Sequence, residues 1–212
     1  MPGFAYPTWM PLAMSDEHDA HFGCYADFYA PGMRYLSLLR LHPQPANIAA
    51  VRILKDVSGH ADWVGDSVRL LGAPNWRGHL APLVSYIAAR KPDAAIVQAL
   101  IGCMAAGSWV SPQIIAGIQL SGGDAVRAVM EVHALGIHRA GSDPLRLHVE
   151  TGPGADVSRM GKLFNSLIGL GLMWGIPLSG RDVNELISLD EDGSDLIARD
   201  WHDTLQEILA QV

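Results

Sequence analysis

The densest group of residues able to bind a metal lies near the start of the chain, in segment 16–24. His18 and His21 are three residues apart, so a helix would place both imidazoles on one side. Imidazole and thiolate bind zinc well, but a closed site needs three or four ligands, and the chain supplies no second cluster with ligand spacing. His18 and His21 are therefore the candidate metal ligands. The alternative is that both flank the solvent side of an aromatic stripe that begins at Phe22.

Two other segments resemble ion-binding or phosphate-binding loops, and neither fits. If the acidic run Asp190 to Asp195 were a calcium loop, Arg199 would occupy the position that needs a bidentate glutamate. A phosphate loop needs four residues between its glycines and a Ser or Thr after its lysine. Here six residues separate Gly154 from the Gly161-Lys162 pair, and Leu163 follows. The sequence therefore predicts no cofactor.

An enzyme is the alternative function that these residues leave open. No serine lies in a nucleophile elbow, and Cys103 lies on an apolar face, which predicts a buried thiol. A metal-dependent enzyme would use the His18/His21 segment or the loop around His138 and His148.

Helices are the elements that would position these side chains. Apolar residues recur every three or four positions in six segments, Asn47 to Val57, Asp62 to Leu71, Trp76 to Ala89, Asp93 to Ala106, Pro112 to Leu120 and Asp124 to Leu135. Glycines and prolines separate the segments. The predicted N-caps, whose side-chain oxygens accept free backbone amides, are Asp62, Asn75, Asp93, Ser111 and Asp124.

A weak internal repeat links these helices in pairs. Asn75-Trp76 and Ser108-Trp109 each open a helix, and they are 33 residues apart. Pro92-Asp93-Ala94 and Gly123-Asp124-Ala125 each open the next helix, 31 residues apart. Two helices in about 30–40 residues is the period of an α-solenoid. Residues 47–136 therefore resemble HEAT-type helical repeats, and the alternative is an irregular helical bundle.

The predicted fold is all-α, with solenoid-like antiparallel helix pairs and a packed C-terminal helical cap in one domain, 1–212. Its parts are an N-terminal arm and helix (1–44), helical repeats (45–136), a long connection (137–153) and C-terminal helices (154–212). Leu145 to Glu150 alternates apolar and polar residues, which predicts a short strand within the connection. The last predicted helix, Ser194 to Val212, is expected to turn Leu196 and Trp201 inward.

Composition narrows the class of partner and the compartment. No apolar run reaches the ~18 residues that span a membrane, and the acidic chain has no basic cluster for nucleic acid. Two distant cysteines, Cys24 and Cys103, do not form a disulfide framework. We therefore expect a cytoplasmic protein that binds neither membranes nor nucleic acid.

Residues 181–212 contain nine acids and two bases, so the net charge of this segment is −7, which equals the net charge of the whole chain. Such segregation suggests an acidic end that attracts a basic partner. The predicted partner-binding acids are Asp190, Glu191, Asp192, Asp200, Asp203 and Glu207. The alternative is that these acids only keep the protein soluble.

The sequence thus predicts a protein-binding module that uses this acidic end. Trp76 and Trp109, which lie at helix starts, are anchor candidates because tryptophan is enriched at binding hot spots. One concrete form is a bacterial immunity or inhibitor protein that neutralises a basic toxin or effector domain. A homo-oligomer is a further alternative.

Overall fold

The computed structural model describes residues 22–29, 35–132, 137–139, 147–149, 157–172, 190 and 192–212. Within these ranges the fold class is all-α, as the sequence predicts, with one short two-stranded ribbon. Residues 173–189, within the predicted C-terminal helices, and most of the N-terminal arm lie outside the described residues.

The described residues form ten α-helices, numbered in chain order. These are α1 (Ala26–Tyr29), α2 (Tyr35–Leu39), α3 (Pro45–Val57), α4 (Trp63–Leu71), α5 (Leu80–Ala89), α6 (Ala94–Ala105), α7 (Ser111–Leu120), α8 (Ala125–Val132), α9 (Val157–Gly169) and α10 (Ser194–Leu209). Two 3₁₀ turns, Gly23–Tyr25 and Trp76–Gly78, precede α1 and α5.

Three of the five predicted N-caps are confirmed. Asp93 accepts hydrogen bonds from the first amides of α6, Asn75 caps the 3₁₀ turn, and Asp124 accepts from an amide at the start of α8. The other two predictions are wrong, because Asp62 makes no capping hydrogen bond and Ser111 is already helical. The Ser111 hydroxyl instead donates to a carbonyl of the preceding turn.

The helices from α3 to α8 lie in two rows. One row contains α3, α5 and α7, and the other contains α4, α6 and α8, with each helix packed on the next member of its row. Gly117 permits the close approach of α7 to α5, since a Cβ there would lie 2.6 Å from Leu83 Cδ1. Helices α9 and α10 pack on each other and on α7, and α10 also contacts α3.

Two buried indoles join distant parts of one apolar core. Trp63 Nε1 donates to Ser85 Oγ at 2.9 Å, and that hydroxyl donates to the Leu54 carbonyl at 2.7 Å, so α4, α5 and α3 are linked. Trp201 Nε1 donates to the Leu38 carbonyl at 2.8 Å, which fixes α10 to α2. Each donor is therefore satisfied despite its burial.

Helix α10 buries one face and exposes the other. Trp201, Leu205 and Ile208 are buried against the core. Leu196 is 50 % exposed, so the prediction that it faces inward is wrong. It lies one turn before Asp200, and residues four apart share a helix face, so Leu196 belongs to the solvent face.

A two-stranded antiparallel ribbon lies in the long connection between α8 and α9. Strand β1 (Ile137–Arg139) pairs with β2 (Leu147–Val149), with His138 opposite His148. The short strand predicted from the alternation in Leu145 to Glu150 is thus confirmed. Among the described helices, none is both long and apolar enough to cross a membrane.

Candidate functional site

Two tryptophans stack on each other at the surface. Trp76 opens the 3₁₀ turn before α5, and Trp109 precedes α7, so both lie at the start of helices in the same row. Their ring centroids are 6.1 Å apart with an interplanar angle of 29°. Trp109 is 67 % exposed and Trp76 is half-buried. The two tryptophans, 33 residues apart in the sequence, thus lie side by side, and we call them the tryptophan pair.

Cations flank the tryptophan pair at both ends. The guanidinium carbon of Arg77 lies 5.0 Å from the Trp76 ring centroid, and Lys162 Nζ lies 5.8 Å from that of Trp109. Tyr35 meets Trp76 edge to face at 6.1 Å and accepts a hydrogen bond from Arg77 Nε at 3.1 Å. Cation–π and aromatic contacts therefore hold the pair in place while Trp109 stays largely open to solvent.

Lys162 connects the tryptophan pair to the acidic end of the chain. Its ammonium lies over Trp109 and forms a 3.0 Å ion pair with Asp192, in the turn before α10. Because the Lys162 side chain is only 19 % exposed, its alkyl chain is mostly covered and its position is restricted. The sequence-predicted anchor Trp109 and the sequence-predicted acid Asp192 therefore belong to one continuous surface.

Helix α10, which begins two residues after Asp192, carries an exposed stripe. We define the α10 stripe as Leu196, Asp200, Asp203 and Glu207, which are spaced four, three and four residues apart and therefore share one helix face. At 1.5 Å rise per residue the stripe is about 16 Å long. Its side chains are exposed, and the side-chain exposure of Asp200 and Asp203 is 74 % and 68 %. The stripe thus presents three carboxylates and one apolar side chain to solvent.

Local partners neutralise the α10 stripe only weakly. Asp200 lies 3.6 Å from the guanidinium of Arg199, and Asp203 accepts a 2.9 Å hydrogen bond from His202. Pairs between exposed neighbours contribute little and are screened by salt. These carboxylates therefore remain available to a basic partner.

Asp190 has a different role from the other predicted acids. Its carboxylate accepts hydrogen bonds from Asn165 Nδ2 at 2.7 Å, from the Ser194 amide at 2.9 Å and from the Ser194 hydroxyl at 3.0 Å. Partial burial would raise the pKa of Asp190, but these bonds outweigh it and hold the pKa below its ordinary 3.8. Asp190 thus joins α9 to the start of α10.

A buried Cys–His contact lies behind the tryptophan pair, and sequence reasoning gave it no role. His79 Nδ1 lies 2.9 Å from Cys103 Sγ and 2.8 Å from Ser108 Oγ, while Nε2 lies 2.8 Å from the Ala73 carbonyl oxygen. Its partners are 24 and 29 residues away, so no local spacing reveals the contact. The sequence offered one signal for this contact, since His79 lies three residues after Trp76 and Ser108 lies just before Trp109.

This Cys–His pair is not an activated nucleophile. Cys103 and His79 are only 3 % and 4 % exposed. Burial raises the pKa of the Cys103 thiol to about 11 and lowers the pKa of His79 below 6.5. At neutral pH the pair is therefore a protonated thiol beside a neutral imidazole, whereas nucleophilic catalysis requires a thiolate.

The structure leaves some predicted residues untested. His18, His21 and Glu191 lie outside the described residues. Within the described ranges, no group of three His, Cys, Asp or Glu side chains is arranged to hold a metal ion.

Comparison of the chain with protein-family models, with curated proteins and with solved structures finds no match.

Proposed function

We propose that this protein is a protein-binding module whose partner is basic. The observation that carries the proposal is Lys162, which contacts Trp109 and Asp192 and so joins an exposed aromatic anchor to the acidic turn that leads into α10. Binding energy at interfaces concentrates in a few aromatic or arginine anchors, and surrounding charges mainly set the rate and the specificity of association. Trp109 supplies the anchor, and the α10 stripe supplies the charge.

The proposed architecture is a short HEAT-like α-solenoid closed by α9 and α10. The two rows of helices and the 33-residue spacing of the stacked tryptophans support it, because successive repeats place equivalent residues side by side. In this arrangement the tryptophan pair lies along one edge of the row that contains α5 and α7.

The concrete form we propose is a cytoplasmic immunity or inhibitor protein of bacterial type, which neutralises a basic toxin or effector domain. An acidic surface brings a basic partner in quickly by electrostatic steering, which is an advantage for an inhibitor. The net charge of −7 and the exposed carboxylates of the α10 stripe support this form.

Co-expression with proteins encoded beside it, followed by affinity purification at low and high salt, tests the proposal. We expect a basic partner that co-purifies at low salt and is reduced at high salt. The stripe variant Asp200→Asn, Asp203→Asn, Glu207→Gln should lose much of the partner and most of the salt dependence. Trp109→Ala should weaken binding by about 2 kcal/mol, or about 30-fold.

A matched control removes the same three charges from another part of the surface. Asp27→Asn, Asp56→Asn, Asp62→Asn changes three exposed acids outside α10 and should bind as the wild type does. Equal loss of partner in the stripe variant and in this control would refute a role for the stripe and leave only an effect of net charge.

A further inference from the structure

Two turns of the chain meet at the buried His79 side chain, and each turn carries one member of the tryptophan pair. His79 follows the 3₁₀ turn that begins at Trp76, and its amide donates to the Trp76 carbonyl at 3.0 Å. Ser108 immediately precedes Trp109. The 2.8 Å contact between His79 Nδ1 and Ser108 Oγ is therefore a short bridge between the two tryptophan-bearing turns.

Hydrogen-bond chemistry fixes the form of His79 in this bridge. The Ala73 carbonyl can only accept, so Nε2 carries the hydrogen, and in the neutral ring Nδ1 must accept. The hydroxyl of Ser108 and the thiol of Cys103 are the available donors to Nδ1. A protonated ring would place a positive charge on a side chain that is only 4 % exposed, so the ring has to move toward solvent to be hydrated, and that movement breaks the bridge.

We propose that His79 is a positioning residue that holds the tryptophan pair together in its neutral form and releases it when protonated. The effect on partner binding rests on the proposed function above, whereas the effect on the pair belongs to the free protein. Acidification then separates Trp109 from Trp76, and the partner-binding surface loses its anchor.

Few charged groups near His79 compete with this assignment. Among the described residues, Cys103 of α6 is the titratable side chain that contacts it, and burial keeps that thiol protonated. Arg77, two residues earlier, directs its guanidinium to Tyr35 and Asn75. Burial is the reason that the pKa of His79 lies below 6.5, although the hydrogen bond to the Ala73 carbonyl opposes this shift.

The tryptophan pair has its own charged neighbours, Arg77 and Lys162, and Lys162 forms an ion pair with Asp192. Because this ion pair lies beside Trp109, the test includes an Asp192→Asn variant. The proposal requires that this variant keep the pH response of the wild type.

Fluorine NMR of the free protein labelled with 5-fluorotryptophan tests the proposal directly. Substitution of single tryptophans by phenylalanine assigns the resonances. Between pH 8 and pH 5, the resonances of Trp76 and Trp109 should move together with one midpoint below 6.5, whereas those of the buried Trp63 and Trp201 should not follow. Fixed resonances for the pair, or equal movement of all four, would overturn the proposal.

Variants identify the group that titrates. His79→Gln should abolish the shared titration, and His202→Gln, which changes a half-buried histidine on α10 beside Asp203, should retain it. If His79→Gln does not fold, Ser108→Ala decides the question, because it removes the bridge from the other side. At pH 8 its Trp109 resonance should already lie near the acidic position of the wild type. A wild-type titration in either variant would contradict the proposal.

The two proposals fail separately. A pH-dependent tryptophan pair without a basic partner would remove the proposed function and leave the role of His79 intact. A basic partner that binds, together with a tryptophan pair that does not respond to pH, would remove the role of His79 and leave the proposed function intact.

Discussion

Replacement of Asp190 by alanine separates a structural acid from the acids of the same segment that we propose bind the partner. The change removes three hydrogen bonds to a carboxylate, from Asn165 Nδ2 and from the amide and hydroxyl of Ser194. The Ser194 amide lies in the first turn of α10, where backbone amides have no acceptor within the helix. Loss of its hydrogen bond to Asp190 therefore costs about 1 kcal/mol. Asn165 is 7 % exposed, and without Asp190 its amide nitrogen keeps only a long contact of 3.5 Å to Asp195. Loss of the hydrogen bond from Asn165 to Asp190 therefore adds about 1–2 kcal/mol.

The free energy of unfolding should therefore fall by about 2–3 kcal/mol, with a Tm lower by about 4–12 °C for a chain of this size. Urea unfolding followed by circular dichroism measures it. The matched control Asp200→Ala, at a side chain 74 % exposed, should change the free energy by less than about 0.5 kcal/mol. Equal destabilisation by the two substitutions would refute the assignment of Asp190 to the junction of α9 and α10.

The pH dependence of a second substitution, Asp190→Asn, has a definite sign. The pKa of Asp190 is lower in the folded chain than its ordinary 3.8, so the folded state favours the ionised form. The resulting stability is present above pH 3.8 and disappears as the pH falls through the folded value. The stability difference between the wild type and Asp190→Asn should therefore shrink below pH 3.8, and a constant difference down to pH 2 would contradict this reasoning.

Two further predictions concern packing and thiol chemistry. Gly169→Ala should destabilise the protein by about 1–3 kcal/mol, because a Cβ there would overlap the main-chain carbonyl of Asp195. Gly65 lies on α4 with open space around it, so Gly65→Ala should stabilise the protein by about 0.5–1 kcal/mol in the same urea assay. Burial raises the pKa of Cys24 to about 12 and that of Cys103 to about 11, so both thiols should react with iodoacetamide at pH 8 far more slowly than in urea. Destabilisation by both alanines, or rapid native alkylation, would contradict these assignments.

The sequence was sufficient to predict the six helices from α3 to α8, because apolar spacing and Gly or Pro separators are local signals. The caps at Asp93 and Asn75 follow from the same local chemistry. The sequence also indicated that Trp76 and Trp109 each lie at the start of a helix. Their stacking could not be predicted, because it depends on how closely α5 and α7 approach, which Gly117 decides through its contact with Leu83.

Long-range contacts were beyond the reach of sequence reasoning. The bridge from His79 to Cys103 and Ser108 joins residues 24 and 29 positions apart, and no motif has that spacing. The acidic segment is a second example, since nothing in the sequence around Asp190 and Asp200 distinguishes the roles of these two acids. Only the packing of α9 against α10, which brings Asn165 to Asp190, gives them different roles.

Site-specific photo-crosslinking to the co-purified partner tests the central claim most directly. A photoreactive amino acid would replace Leu196, which is half-exposed at the head of the α10 stripe, or Gln98, which is exposed on α6 in the other row. The account predicts efficient crosslinking from position 196, loss of that product at high salt, and little product from position 98. Crosslinking from position 98 with none from position 196 would show that the partner binds another face.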